Sequence, residues 1–181
     1  MVLLNRLFDS SEVFTNALAA KENMRTESFA QKLCVSSKGN VDCIKNAQLE
    51  EGQKGLLFSL SNHKVLYANG IYDKVYPASI TKIMTAMLAL QSGKLNDTVT
   101  ITQDNVTLED GSQVCGFVAG DQVTLDQLLH CLLVYSGNDA ASAIAEYVGG
   151  STENFVQMMN DYAAKLGCTG THFFQSTWTA G

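Results

Sequence analysis

Between residues 124 and 167 one apolar rhythm recurs three times, and it constrains the fold more than any other feature of this sequence. Leu125, Leu128, Leu129, Leu132 and Leu133 follow the three- and four-residue spacing of one buried helical face. Residues 138–148 form a second helical run, closed by Gly149-Gly150. Ser151-Thr152-Glu153 opens a third, with Phe155, Met158, Met159 and Tyr162 on its inner side and Gly167 at its end. The expectation is a helical lobe.

Upstream the texture changes. Gly55-Leu56-Leu57-Phe58-Ser59-Leu60 and Lys64-Val65-Leu66-Tyr67-Ala68 are short apolar runs around Ser61-Asn62-His63, the form of a two-stranded hairpin. Asn69-Gly70 marks a turn, and Tyr76-Pro77-Ala78-Ser79 leads into a helical run ending near Gly93. Pro77, the only proline, stands just before that helix, where a missing N–H costs little. Residues 97–102 alternate and predict a short strand. The fold class expected is α/β of the α+β type: a strand pair, a helix carrying Ser79, then the helical lobe. Residues 1–50 are weakly periodic and form a lead segment, partly helical or irregular, ahead of a domain over 51–181.

Composition narrows the function classes. With 46% hydrophobic residues in 181, the chain can bury one sizeable core. A formal charge of -6 and the lack of any Lys/Arg-rich run exclude a nucleic-acid or anionic-membrane surface. No stretch is apolar for long enough to span a membrane. At the N-terminus, Ala17-Leu18-Ala19 has the form of a signal cleavage site, but Asn5, Arg6, Asp9 and Glu12 interrupt the apolar core such a signal needs.

The five cysteines (Cys34, Cys43, Cys115, Cys131, Cys168) form no C-x-x-C pair, and His63, His130 and His172 do not cluster with them. No metal site or other cofactor is expected. Cys115 and Cys131 lie among apolar neighbours as small core residues, while Cys34 and Cys43 could pair in an oxidising compartment.

The chemistry-bearing candidate is Ser79-Ile80-Thr81-Lys82. Serine and lysine three apart on a helix share a face, and a hydroxyl at the N-terminus meets free N–H groups that favour developing negative charge. A partly desolvated lysine can lose its proton near neutrality and take one from the serine. The pattern alone is weak, because Ser61-Asn62-His63-Lys64 matches it too, though in a hairpin turn rather than a helix. Context separates them: Ser136-Gly137-Asn138 lies between two apolar helices and is the only S-x-N in the chain. A polar pair there serves as a helix cap; it can also relay a proton through Ser136 and hold a substrate amide through Asn138.

These segments closely resemble the low-molecular-weight penicillin-binding proteins, the serine D-alanyl-D-alanine carboxypeptidases. The first motif of that family is matched by residues 76–86 and the second by Ser136-Gly137-Asn138 followed by Asp139-Ala140-Ala141; residues 120–129 and 146–160 are similar as well. The resemblance implies a β-lactamase/transpeptidase-like fold, here incomplete, at the outer face of the cytoplasmic membrane. It implies that Ser79 is acylated by the penultimate D-Ala of a peptidoglycan stem peptide, and equally by β-lactam antibiotics. Lys82 is then the general base, Ser136 a proton relay, Asn138 a donor to the substrate carbonyl and the Ser79 N–H one oxyanion donor.

The chain departs from the family in one respect. No Lys is followed by Thr-Gly or Ser-Gly, the motif that anchors the substrate carboxylate; Cys168-Thr169-Gly170 lacks the cation. After Thr171-His172-Phe173 the family continues with an Asn-Pro loop, whereas this chain reads Phe174-Gln175-Ser176. Little activity is therefore expected of the chain alone, with a complementing C-terminal fragment or a second copy as partner. A β-lactamase is disfavoured, since no E-x-x-L-N follows the S-x-N. The main rival is a non-catalytic binding or assembly half.

Overall fold

The computed structural model of the chain describes residues 41–42, 49–59 and 64–175. It opens with three antiparallel strands: β1 (Val41–Asp42), β2 (Gly55–Ser59) and β3 (Lys64–Asn69), in the order β1-β3-β2. The expected hairpin is therefore present, and β1 adds a third strand by pairing Val41 with Ala68. Ala68 is buried, while Leu56 and Leu57 on β2 are exposed. The β2–β3 register slips between Leu57 and Phe58, a bulge of the kind that bends a strand.

After the sheet, Ala78–Thr81 forms a 3₁₀ turn that runs directly into α1 (Lys82–Ser92). Gly93 closes α1 in the left-handed conformation, φ 72°, a C-cap that glycine adopts without steric cost. The expected strand at 97–102 is β4 (Thr98–Thr100), paired with β5 (Gln122–Thr124), which the sequence did not announce. Between them, α2 (Gln103–Val106) is held by a capping box of Thr102 and Asn105, and a second box of Thr124 and Gln127 starts α3 (Leu125–His130).

The lobe is completed by α4 (Asn138–Gly149) and α5 (Thr152–Lys165), the latter N-capped by Ser151. Ala140, Ala141, Ala143 and Ala145 of α4 are all buried, so this helix is apolar round most of its circumference. Such small side chains let α1, α3 and α5 all pack against it. Leu125, Leu128, Leu129 and Leu132 enter the core as expected, with Ile144, Phe155 and Met159.

Leu133 does not. It is 55% exposed, because the helix widens into a π-type turn over Cys131–Tyr135 and rotates Leu133 off the buried face. The Ser136 N–H closes that turn by bonding to the Cys131 carbonyl. Among the described residues, no helix is long and apolar enough to cross a membrane.

Candidate active site

The site is assembled where the 3₁₀ turn, the π-type turn and the start of α4 meet. Ser79 lies in the 3₁₀ turn and is exposed, while Lys82, the first residue of α1, is only 3% exposed. A 3₁₀ turn has three residues per turn, so positions 79 and 82 eclipse one another more closely than in an α-helix. The rival pair is expected in a hairpin turn: Lys64 opens β3, and Ser61 lies outside the described residues.

The two sequence motifs converge. Lys82 Nζ donates to the Ser136 carbonyl at 2.7 Å and to Ser136 Oγ at 3.0 Å, across 54 positions of sequence. Burial holds the Lys82 amine below its ordinary pKa, opposed by the neighbouring Cys115, whose thiolate would favour the ammonium were it formed, and by the Asp139 carboxylate. Burial wins, the direction a general base near neutrality requires.

Backbone strain marks the same place. Among the described residues, Ala78 (φ 51°) and Ser136 (φ 63°) are the two non-glycine residues with positive φ. One immediately precedes Ser79 and the other is the residue to which Lys82 donates. Side chains with a Cβ adopt this conformation at a cost, and such residues concentrate where the surroundings impose a functional geometry.

Asn138 opens α4 and is buried, and its Oδ1 has no hydrogen-bond partner. A buried carbonyl oxygen without a donor is costly, and a ligand N–H or a water would relieve it. The backbone of Asn138 is fixed: its N–H donates to the Gln113 carbonyl at 2.7 Å. Gln113 Nε2 in turn donates to the Tyr135 carbonyl at 2.9 Å. The 113–117 loop thus braces the turn carrying Ser136 on both sides.

That loop was not legible from sequence as part of the site. Cys115, expected as a small core residue, is half-buried beside Cys131, and its thiol donates to the Cys131 carbonyl at 3.7 Å. Burial, with Cys131 and Asp139 close by, pushes the Cys115 thiol up to about 12, so it stays protonated and unreactive. A Cβ on Gly137 would collide with Cys115 Sγ and lie 2.7 Å from Asp139 Oδ1, so this close approach requires glycine. Cys168 is free and exposed, and Cys34 and Cys43 lie outside the described residues. Among the described residues no cluster of His, Cys, Asp and Glu could hold a metal ion.

The comparisons with known proteins bear on the family and the fold. The sequence profile of the D-alanyl-D-alanine carboxypeptidases, peptidase family S11, matches residues 44–178. The D-alanyl-D-alanine carboxypeptidase DacC of Escherichia coli is 42% identical over 128 residues, covering 65% of this chain and 32% of its own length. DacF of Bacillus subtilis is 36% identical over 131 residues, covering 70% and 33%. A solved D-alanyl-D-alanine carboxypeptidase from Mycobacterium tuberculosis superposes with a TM-score of 0.65 at 32% identity, over 78% of this chain and 53% of that one. Penicillin-binding protein 6B of Escherichia coli gives 0.60 at 35% identity, over 63% and 39%. The chain spans about a third of the length of these curated relatives. Its strand-plus-helical-lobe arrangement is the corresponding part of the penicillin-binding, β-lactamase-like fold. The chain belongs to the D-alanyl-D-alanine carboxypeptidase family.

Proposed function

We propose that Ser79 is the nucleophile of a serine D-Ala-D-Ala carboxypeptidase that trims peptidoglycan stem peptides at the cell envelope and is acylated by β-lactams. The observation that carries this is the buried Lys82 amine, bonded to Ser136 and one turn from an exposed Ser79. When neutral, Lys82 accepts the Ser79 proton as Ser79 Oγ attacks the carbonyl carbon of the D-Ala-D-Ala peptide bond. Charge developing on the carbonyl oxygen faces the N–H groups at the start of the 3₁₀ turn. The proton passes through Ser136 Oγ to the leaving amine of the terminal D-Ala, and water then hydrolyses the ester. Asn138 presents its side-chain amide to the substrate, whose N–H would answer the unpartnered Oδ1.

The 181 residues hold no Lys-Thr-Gly, so the anchor for the substrate carboxylate is not among them. Loss of a single oxyanion donor costs about a hundred- to a thousandfold in rate, and peptide turnover by this stretch alone is expected to be low. Exposed Ile80 and Ile83 beside Ser79 support the second reading, an assembly half completed by another segment or copy.

Intact mass after incubation with excess penicillin distinguishes the two readings. A single adduct on the wild type that is absent from Ser79→Ala supports the acyl-enzyme; no adduct at any concentration supports the assembly half. The adduct should form faster as pH rises, because the base form of Lys82 is the active one. The midpoint should fall below 10.5, the ordinary lysine value, because burial lowers this amine. A rate independent of pH removes Lys82 from the role of base.

A further inference from the structure

We propose that Asp139 is a positioning residue whose buried carboxylate clamps the 115–117 loop to the start of α4 and thereby holds Ser136 against Lys82. The inference rests on the acyl-enzyme reading for its consequence, though not for its geometry. Asp139 is 1% exposed. Its Oδ1 accepts from the N–H of Cys115 at 2.9 Å and of Ala140 at 2.9 Å. Its Oδ2 accepts from the N–H of Gly116 at 2.9 Å and of Phe117 at 3.3 Å. Four backbone donors surround one carboxylate, which is how a charge is kept out of water without a cation.

The three loop amides belong to no helix or strand, so Asp139 supplies the acceptors that regular structure would otherwise provide. Mechanically, the clamp closes a ring. Asp139 grips residues 115–117, Gln113 of the same loop bonds to Asn138 N–H and to the Tyr135 carbonyl, and Ser136 between them receives Lys82. The bonds of the Asp139 carboxylate run to backbone N–H groups rather than to Ser79 or Lys82; apart from its charge, which favours the Lys82 ammonium, it acts through the turn that presents Ser136.

The test is Asp139→Asn, which keeps the shape but turns an amide NH₂ toward backbone donors. Amide exchange of Cys115, Gly116 and Phe117 should accelerate at least about tenfold, as expected for lost charge-assisted bonds, and the Ser136 amide resonance should move. The rate constant for penicillin acylation should fall by about tenfold or more while the affinity of the preceding non-covalent complex stays within about twofold, a split that general loosening would not produce. Unchanged exchange and an unmoved Ser136 resonance overturn the clamp, as does an equal loss in affinity and rate. If the wild type forms no adduct, the acyl-enzyme reading fails, and the exchange rates and the Ser136 resonance alone decide the clamp. If the variant does not fold, the wild type decides it: protected amides at 115–117 support the clamp, and exchange at the rate of an open loop overturns it.

Discussion

The two faces of α1 differ in how far they are covered. One face carries Lys82, Thr85, Ala86 and Ala89 into the interior, against α4 and its alanines. The other carries Ile80, just ahead of the helix, Ile83 and Leu90, all exposed, and the π-type turn leaves Leu133, Val134 and Tyr135 exposed as well. Ser79 sits on the seam between them. The difference is a division of labour in the proposed mechanism: the covered side holds Lys82 against Ser136, the base and relay of that proposal, and the uncovered side is where its substrate wall would have to stand. Where exposed apolar residues gather into a patch, they mark a surface that other structure normally covers.

The largest effect that would break this contrast lies in the covered half. Phe155 is fully buried on α5, and its Cβ lies 2.7 Å from where a Cβ on Gly149 would stand, so α4 and α5 meet there in close contact. Phe155→Ala removes an aromatic side chain and leaves a cavity, and should lower unfolding free energy by about 3–5 kcal/mol in denaturant titration. A loss under about 1 kcal/mol would mean that the lobe is loosely packed, and the contrast between the faces would disappear.

A smaller effect sharpens the contrast at the site. Gly137→Ala forces a methyl against Cys115 Sγ and Asp139 Oδ1. The expected cost is about 1–3 kcal/mol, the range for overpacking. Adding Cys115→Ala should recover part of it, leaving the share due to Asp139, and a double-mutant cycle measures the coupling. Strict additivity would show that the loop and the turn do not touch in solution.

Much of the covered half was legible in the sequence, for physical reasons that differ by element. Helices α4 and α5 announced themselves because Gly149-Gly150 and Ser151 punctuate two apolar rhythms, and local periodicity survives in any tertiary context. Ser79, Lys82, Ser136 and Asn138 were legible as motifs, and the structure brings Lys82 and Ser136 into contact. Strands β1 and β5 were not, since so short a strand shows only where its flanks alternate too, as they do around β4, and its pairing is decided by distant partners. The π-type turn is a shift in hydrogen-bond register with no compositional signature, which is why Leu133 was expected inside and lies outside. Ala78 carries no hint of its left-handed backbone, because tertiary surroundings rather than residue type impose it. The acid of Asp139 could be placed in a helix's first turn, but the Cys115 N–H it receives comes from 24 positions away.

The smallest predicted effect tests the uncovered face directly. Ile83 is 55% exposed in the first turn of α1, on the side away from α4. Ile83→Ser changes helix propensity little, since the two residues rank together in that respect. With more than half of its surface already exposed, Ile83 has little burial to lose, and unfolding free energy should change by less than about 1 kcal/mol. The same substitution on a face packed against other structure would forfeit most of the burial of an isoleucine, about 1.5–3 kcal/mol. A small change therefore leaves Ser79 on an open seam, whereas a large one means that something already covers Ile83. Repeating the titration across a range of protein concentrations separates the two ways of covering it: a cost that grows with concentration comes from a second copy, and a constant cost comes from within the chain.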